Sequence, residues 1–119
     1  SSTWGIYRNV ERTISSDKAK QITYGGSTWT AITGTKPASS VLLTAGASEE
    51  TNKMNIYDFA GNELEWTLEH ATSNSSCPCA SRGGDCNNTG SKGPVLFRNY
   101  NGTTNAYNVI GFRSVLYAN

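Results

Sequence analysis

The chain has 119 residues and a formal net charge of +1. That length fits one compact domain, and the near-neutral balance argues against nucleic acid or an anionic membrane surface as partner. Only 36% of the residues are hydrophobic and 12 are glycine, so the aliphatic core is small and the three tryptophans and six tyrosines must supply much of the buried area.

No apolar run reaches the length of a bilayer span, so we expect no membrane insertion by this domain. With no starting Met, residues 1–119 are expected to be a single domain, either a processed form or the C-terminal part of a longer protein.

Residues 3–14, TWGIYRNVERTI, mix aromatic and β-branched side chains and predict a strand. ITYGGSTWTAITG sets Gly25 and Gly26 between two β-prone runs, which predicts a hairpin. SVLLTAG is a short apolar run that fits a strand or one to two helical turns equally well. MNIYDFAGNELEWTLEH carries a tight turn at Gly61–Asn62. Beyond it, Leu64, Trp66 and Leu68 alternate with Glu65, Thr67 and Glu69, the period of a half-buried strand. Residues 71–107 read as one long polar loop, with GPVLFR as an anchor in its middle. Loops of that length commonly carry function. VIGFRSVLYAN closes the chain as a strand, with Ile110, Phe112, Val115 and Tyr117 expected in the core.

Cys77, Cys79 and Cys86 fall within ten residues. Their odd count forbids complete pairing, and any bridge would join Cys77 or Cys79 to Cys86. A zinc site would need a fourth ligand, and His70 is the only histidine. The preferred reading is plain loop cysteines. No G-x-S-x-G elbow accompanies His70, which reads as a surface residue rather than a base. Glu65 and Glu69 share a strand face and read as solvated. A single RGG in a near-neutral chain does not make an RNA-binding surface.

Four segments occur in order: IYDFAGNELEW, RGG at Arg82–Gly84, RNY at Arg98–Tyr100, and IGFR at Ile110–Arg113. Together they resemble the formylglycine-generating enzyme (sulfatase-modifying factor) family, a variant of the C-type lectin fold. The resemblance covers about residues 54–117. It implies an α+β, C-type lectin-like fold, loop-rich with short antiparallel strands.

Oxidases of that family hold copper with two cysteines placed after the GG. Here Cys86 lies slightly early, and Ser91 and Lys92 stand where the second cysteine is expected. One thiol does not make a Cu(I) site, so the expectation is no enzyme. The family also implies calcium at Asp58, Gly61, Glu63 and Glu65, through two side chains and two backbone carbonyls. Two carboxylates make a marginal calcium loop, and the residues alone read as a turn held by Asp58 and Glu65 accepting from backbone N–H groups, scaffold rather than active site.

A second branch of that fold matches better. Residues 82–113 are similar to the variable segment of proteins diversified by retroelements, which opens on RGG, closes on GFR and avoids Glu, Gln, Met, Trp and Lys between. Here Lys92 is the single member of that set. The resemblance implies ligand contacts at Asp85, Cys86, Asn87, Lys92, Val95, Leu96, Phe97, Tyr100, Asn105 and Tyr107. Fixed positions are Arg82, Gly83, Gly84, Gly90, Pro94, Arg98, Asn99, Gly111, Phe112 and Arg113, with the arginines pinning the backbone to acids and carbonyls. The expected function is ligand or receptor binding on a phage virion or bacterial cell surface, toward a protein or glycan on a cell surface. The alternatives are an oxidase of the formylglycine-generating type and a structural domain of a larger surface protein.

Overall fold

A computed structural model describes residues 4–54, 56–70, 76–102, 104 and 106–113. The strands are β1 (Arg12–Thr13), β2 (Lys20–Thr23), β3 (Thr30–Ala31), β4 (Thr35–Lys36) and β5 (Val41–Leu43). A 3-10 turn, Glu49–Thr51, follows, and then β6 (Leu64–His70), β7 (Cys79–Arg82), β8 (Arg98–Asn101) and β9 (Ile110–Gly111). They form three sheets, ordered β1-β4, β3-β2-β5 and β8-β7-β6-β9. Every pairing is antiparallel except β6 with β9, which is parallel.

The α+β, C-type lectin-like class is overturned. The described residues are almost entirely β, and their helical content is one 3-10 turn. The physical reason lies in the composition: the abundant Gly, Ser, Thr and Asn favour turns and extended backbone. Even the helix-forming run KAKQ at 18–21 is drawn into β2 by its pairing with β3 and β5. SVLLTAG resolves as β5, and the Gly25–Gly26 segment lies in the β2–β3 connection as expected.

Two small apolar clusters carry the core. Ile6, Ala19, Ile32, Val41, Leu43 and Ala47 pack together, with Ile14 against them. Tyr7, Val10 and Ala60 form the second, flanked by Trp4 and Val95. Clusters this small leave the joining of segments to directional bonds, and Gly61–Asn62 supplies them. The Asn62 side-chain amide accepts from Leu43 N–H at 2.8 Å and donates to Leu43 C=O at 2.9 Å, acting as a strand partner for β5. Its own N–H donates to the Ile6 carbonyl, and its carbonyl accepts from Cys86 N–H. Gly61 N–H donates to the Gly83 carbonyl. A Cβ on Gly61 would overlap the Ile6 backbone. The GN step thus joins three distant parts of the chain.

Lys36 is the second internal fastener. It is fully buried, and its ammonium donates to the carbonyls of Tyr7, Val10, Pro37 and Ser39 at 2.8–3.1 Å. Burial pulls its pKa down to about 8. The four carbonyls favour the charged form, so it remains an ammonium at neutral pH.

Several expectations need correction. Among the described residues 4–14 only Arg12–Thr13 is a strand, while Ile6, Tyr7 and Val10 are buried in irregular backbone. The long loop of 71–107 contains β7 and β8, because the polar run CASR and the run RNYN pair with each other and β7 pairs with β6. Leu68 and Phe112 are solvent-exposed rather than core. Leu68 lies in the irregular register between Trp66 and His70, and Phe112 lies past the end of β9. Val115 and Tyr117 fall outside the described residues.

Candidate functional site

Arginines fix both ends of the 82–113 segment. Arg82 donates from Nε and Nη2 to Glu69 Oε2, at 3.1 and 2.8 Å, and from Nη1 to the Leu96 carbonyl at 3.2 Å. Arg98, across from Arg82 in β8, takes the other Glu69 oxygen at 2.7 Å. Tyr100, two residues along, lies 4.9 Å under the Arg98 guanidinium. At the far end Arg113 donates from Nε to Glu65 at 2.7 Å and from Nη2 to the Tyr57 carbonyl at 3.0 Å. Arg82 thus grips one carboxylate and one main-chain carbonyl, and Arg113 one carboxylate and the Tyr57 and Asp58 carbonyls, the pinning role that the sequence suggests.

Between these clamps the backbone is folded on itself. Asp85 Oδ1 accepts from the Asn87 and Asn88 N–H groups at 2.8 and 2.9 Å, a tight acid-capped turn. Gly84 has φ +75°, and a Cβ there would overlap the Gly93 carbonyl. Gly93 N–H and Lys92 N–H both donate to the Thr89 carbonyl. The Arg8 N–H reaches the Asn88 carbonyl, which ties the turn to the N-terminal segment.

The expected ligand contacts divide in two. Asp85 and Cys86 are buried and belong to the frame: Asp85 caps the turn, and Cys86 N–H is bonded to Asn62. Neither side chain is available to a partner. Asn87 is half-buried and its Oδ1 accepts from Ser40. Val95 packs on the second core cluster, Phe97 is half-buried, and Tyr100 is engaged with Arg98. Lys92, Leu96 and Tyr107 are exposed, Leu96 at 80%. Tyr107 meets Trp66 edge-on at 6.4 Å between ring centroids. Asn105 lies outside the described residues.

Of the four implied calcium ligands, Asp58 and Glu65 turn their carboxylates to protein donors. Asp58 accepts from Thr51 Oγ1 at 2.7 Å and from Gly46 N–H at 3.0 Å, and burial raises its pKa despite both bonds. Glu65 and the Tyr57 and Asp58 carbonyls converge on the Arg113 guanidinium, which already supplies the positive charge. Glu63 turns toward Gly111. Asp58 and Glu65 are thus satisfied within the protein.

At the copper position, Cys86 is fully buried, and burial with Asp85 nearby pushes its thiol up to about 12. Cys77 and Cys79 are half-buried, and none of the three cysteines is joined in a disulfide. Among the described residues no group of three His, Cys, Asp or Glu side chains is placed to hold a metal.

One feature was not expected from sequence. An open cleft of about 230 Å³ lies between the β2–β3 connection, with Tyr24 and Trp29, and the Asn108–Val109 backbone; Glu63 and Cys86 also line it. The Tyr24 N–H donates to the Ser40 carbonyl and the Val109 carbonyl accepts from Leu64 N–H, so both walls are tied to the frame. The available signal was the pair of aromatics bracketing a glycine turn, YGGSTW.

Comparison with protein-family models, with curated proteins and with solved structures gives no match to this chain.

Proposed function

We propose that this protein is a ligand-binding domain of the variable-protein kind, carried on a phage or bacterial surface and directed at a protein or glycan on a cell surface. The observation that supports it is the division of residues 82–113. Arg82 and Arg113 fasten the ends to Glu69 and Glu65, Asp85 and Gly84 lock the intervening turn, and Lys92, Leu96 and Tyr107 stay exposed. Backbone fixed by buried and clamped residues lets neighbouring exposed positions change without unfolding, and Tyr with small polar residues makes adaptable contact area. In this reading a retroelement diversifies the exposed positions. The reading rests on the four ordered motifs and on this division.

Labelled domain tested against a panel of bacterial cells by flow cytometry examines it. Leu96→Ser and Tyr107→Ala should cut cell labelling tenfold or more while the melting temperature stays within a few degrees. Variants that label cells as the parent does would remove this surface from the function. In the gene neighbourhood, a reverse transcriptase and a near-identical template repeat differing at adenines are expected.

A further inference from the structure

The cleft beside Glu63 carries chemistry of its own. Glu63 is half-buried, and its carboxylate makes no hydrogen bond or ion pair with any described residue. Its acidic neighbour Glu65 is satisfied by Arg113, whereas Glu63 is left with burial and like charge, both of which raise its pKa. A half-buried carboxylate without a protein donor is open to a partner's positive charge.

The rest of the cleft suits the same partner. Tyr24 and Trp29 each keep 42% of their surface exposed, and aromatic faces attract organic cations electrostatically. Ile22, Leu42 and Val109 line it as well, which fits the methylene stem of a long cationic side chain. At about 230 Å³ the space falls below the roughly 300–1,000 Å³ of pockets that enclose whole small molecules. It matches a single side-chain-sized group.

We propose that this cleft is a subsite for an alkylammonium or alkylguanidinium group, a lysine or arginine side chain of a protein partner, held by Glu63 with Tyr24 and Trp29 against its stem. It goes beyond the surface reading, since the cleft can hold a cation whether or not Leu96 and Tyr107 contact a partner.

The probes are the blocked amino acids N-acetyl-lysine methylamide, N-acetyl-arginine methylamide and the neutral N-acetyl-norleucine methylamide. Each is titrated into the intact chain at neutral pH while the Trp29 indole N–H resonance, assigned with Trp29→Phe, is followed by NMR. The cationic probes should shift that resonance saturably and bind about tenfold or more tightly than norleucine. Glu63→Gln should abolish the preference while leaving the rest of the spectrum in place. Trp29→Phe, followed through the other cleft resonances, should weaken all three probes. Equal binding of the neutral probe, an unchanged preference in Glu63→Gln, or no saturable shift with either cation would overturn the proposal. Loss of cell labelling in Leu96→Ser with cation binding intact would concern the surface reading alone.

Discussion

The Asn62 side chain pairs with both backbone groups of Leu43, donating at 2.9 Å and accepting at 2.8 Å. It does so from a left-handed backbone, φ +61°, which Asn tolerates better than most residues. Asn62→Ala leaves a buried N–H and a buried C=O unpaired, and we expect a loss of about 3 kcal/mol. Asn62→Asp keeps the acceptor and loses the donor, so it should also destabilise. Urea denaturation followed by tryptophan fluorescence measures both.

Gly84 and Gly93 face each other across the turn, but their requirements differ. Gly84→Ala combines φ +75° with overlap on the Gly93 carbonyl, and should cost at least about 2 kcal/mol. A Cβ on Gly93 would meet Asn88 Cβ at 3.4 Å, ordinary contact. Gly93→Ala should therefore change stability by well under half as much, read in the same denaturation experiment.

Arg113 supplies the cation that Glu65 and the Tyr57 carbonyl require. Arg113→Ala should lower stability by about 1–3 kcal/mol, whereas a chelator should leave the melting temperature of the parent unchanged. A drop with EDTA that calcium restores would contradict the assignment of that charge to Arg113.

Alkaline titration tests the buried thiol. Cys86 ionises near 9.0 when unfolded and near 12 in the fold, because burial opposes the thiolate. The native state therefore holds the proton more tightly between these values. Its stabilising contribution is complete below pH 9 and is lost as pH rises toward 12. Tyr7, raised from 10.0 to about 12 by burial, acts in the same direction from pH 10. Lys36, lowered from 10.5 to about 8, acts in the opposite direction between those values, so the thiol is read from a difference. Relative to Cys86→Ala, the parent should lose stability progressively from pH 9 toward 12, measured by denaturation at stepped pH.

Sequence periodicity and turn chemistry located the elements whose signal is local. The Gly61–Asn62 turn, the β6 strand after it, and the Gly25–Gly26 connection were legible because a glycine beside alternating side chains constrains nearby backbone. β7 and β8 were hidden, since CASR and RNYN are polar and become strands only by pairing with each other and with β6. The family resemblance misled on class, because landmark residues such as Arg82 and Arg113 specify clamps rather than helices. Exposure along 85–107 was half legible. Asp85 and Cys86 look like loop residues, and their burial follows from long-range bonds to Asn62 and the N-terminal segment that spacing does not reveal. Glu63 sits inside the recognised motif, yet nothing in the sequence separates its unpaired carboxylate from the satisfied ones of Asp58 and Glu65.

The division between frame and display is tested most directly by saturation mutagenesis of the chain on a cell surface, sorted by resistance to protease. Lys92, Leu96 and Tyr107 should accept most substitutions, while Asn62, Gly84, Asp85 and Cys86 accept few. Equal intolerance at Lys92, Leu96 and Tyr107 would contradict the account, because positions bound into the fold cannot be free to vary toward a partner.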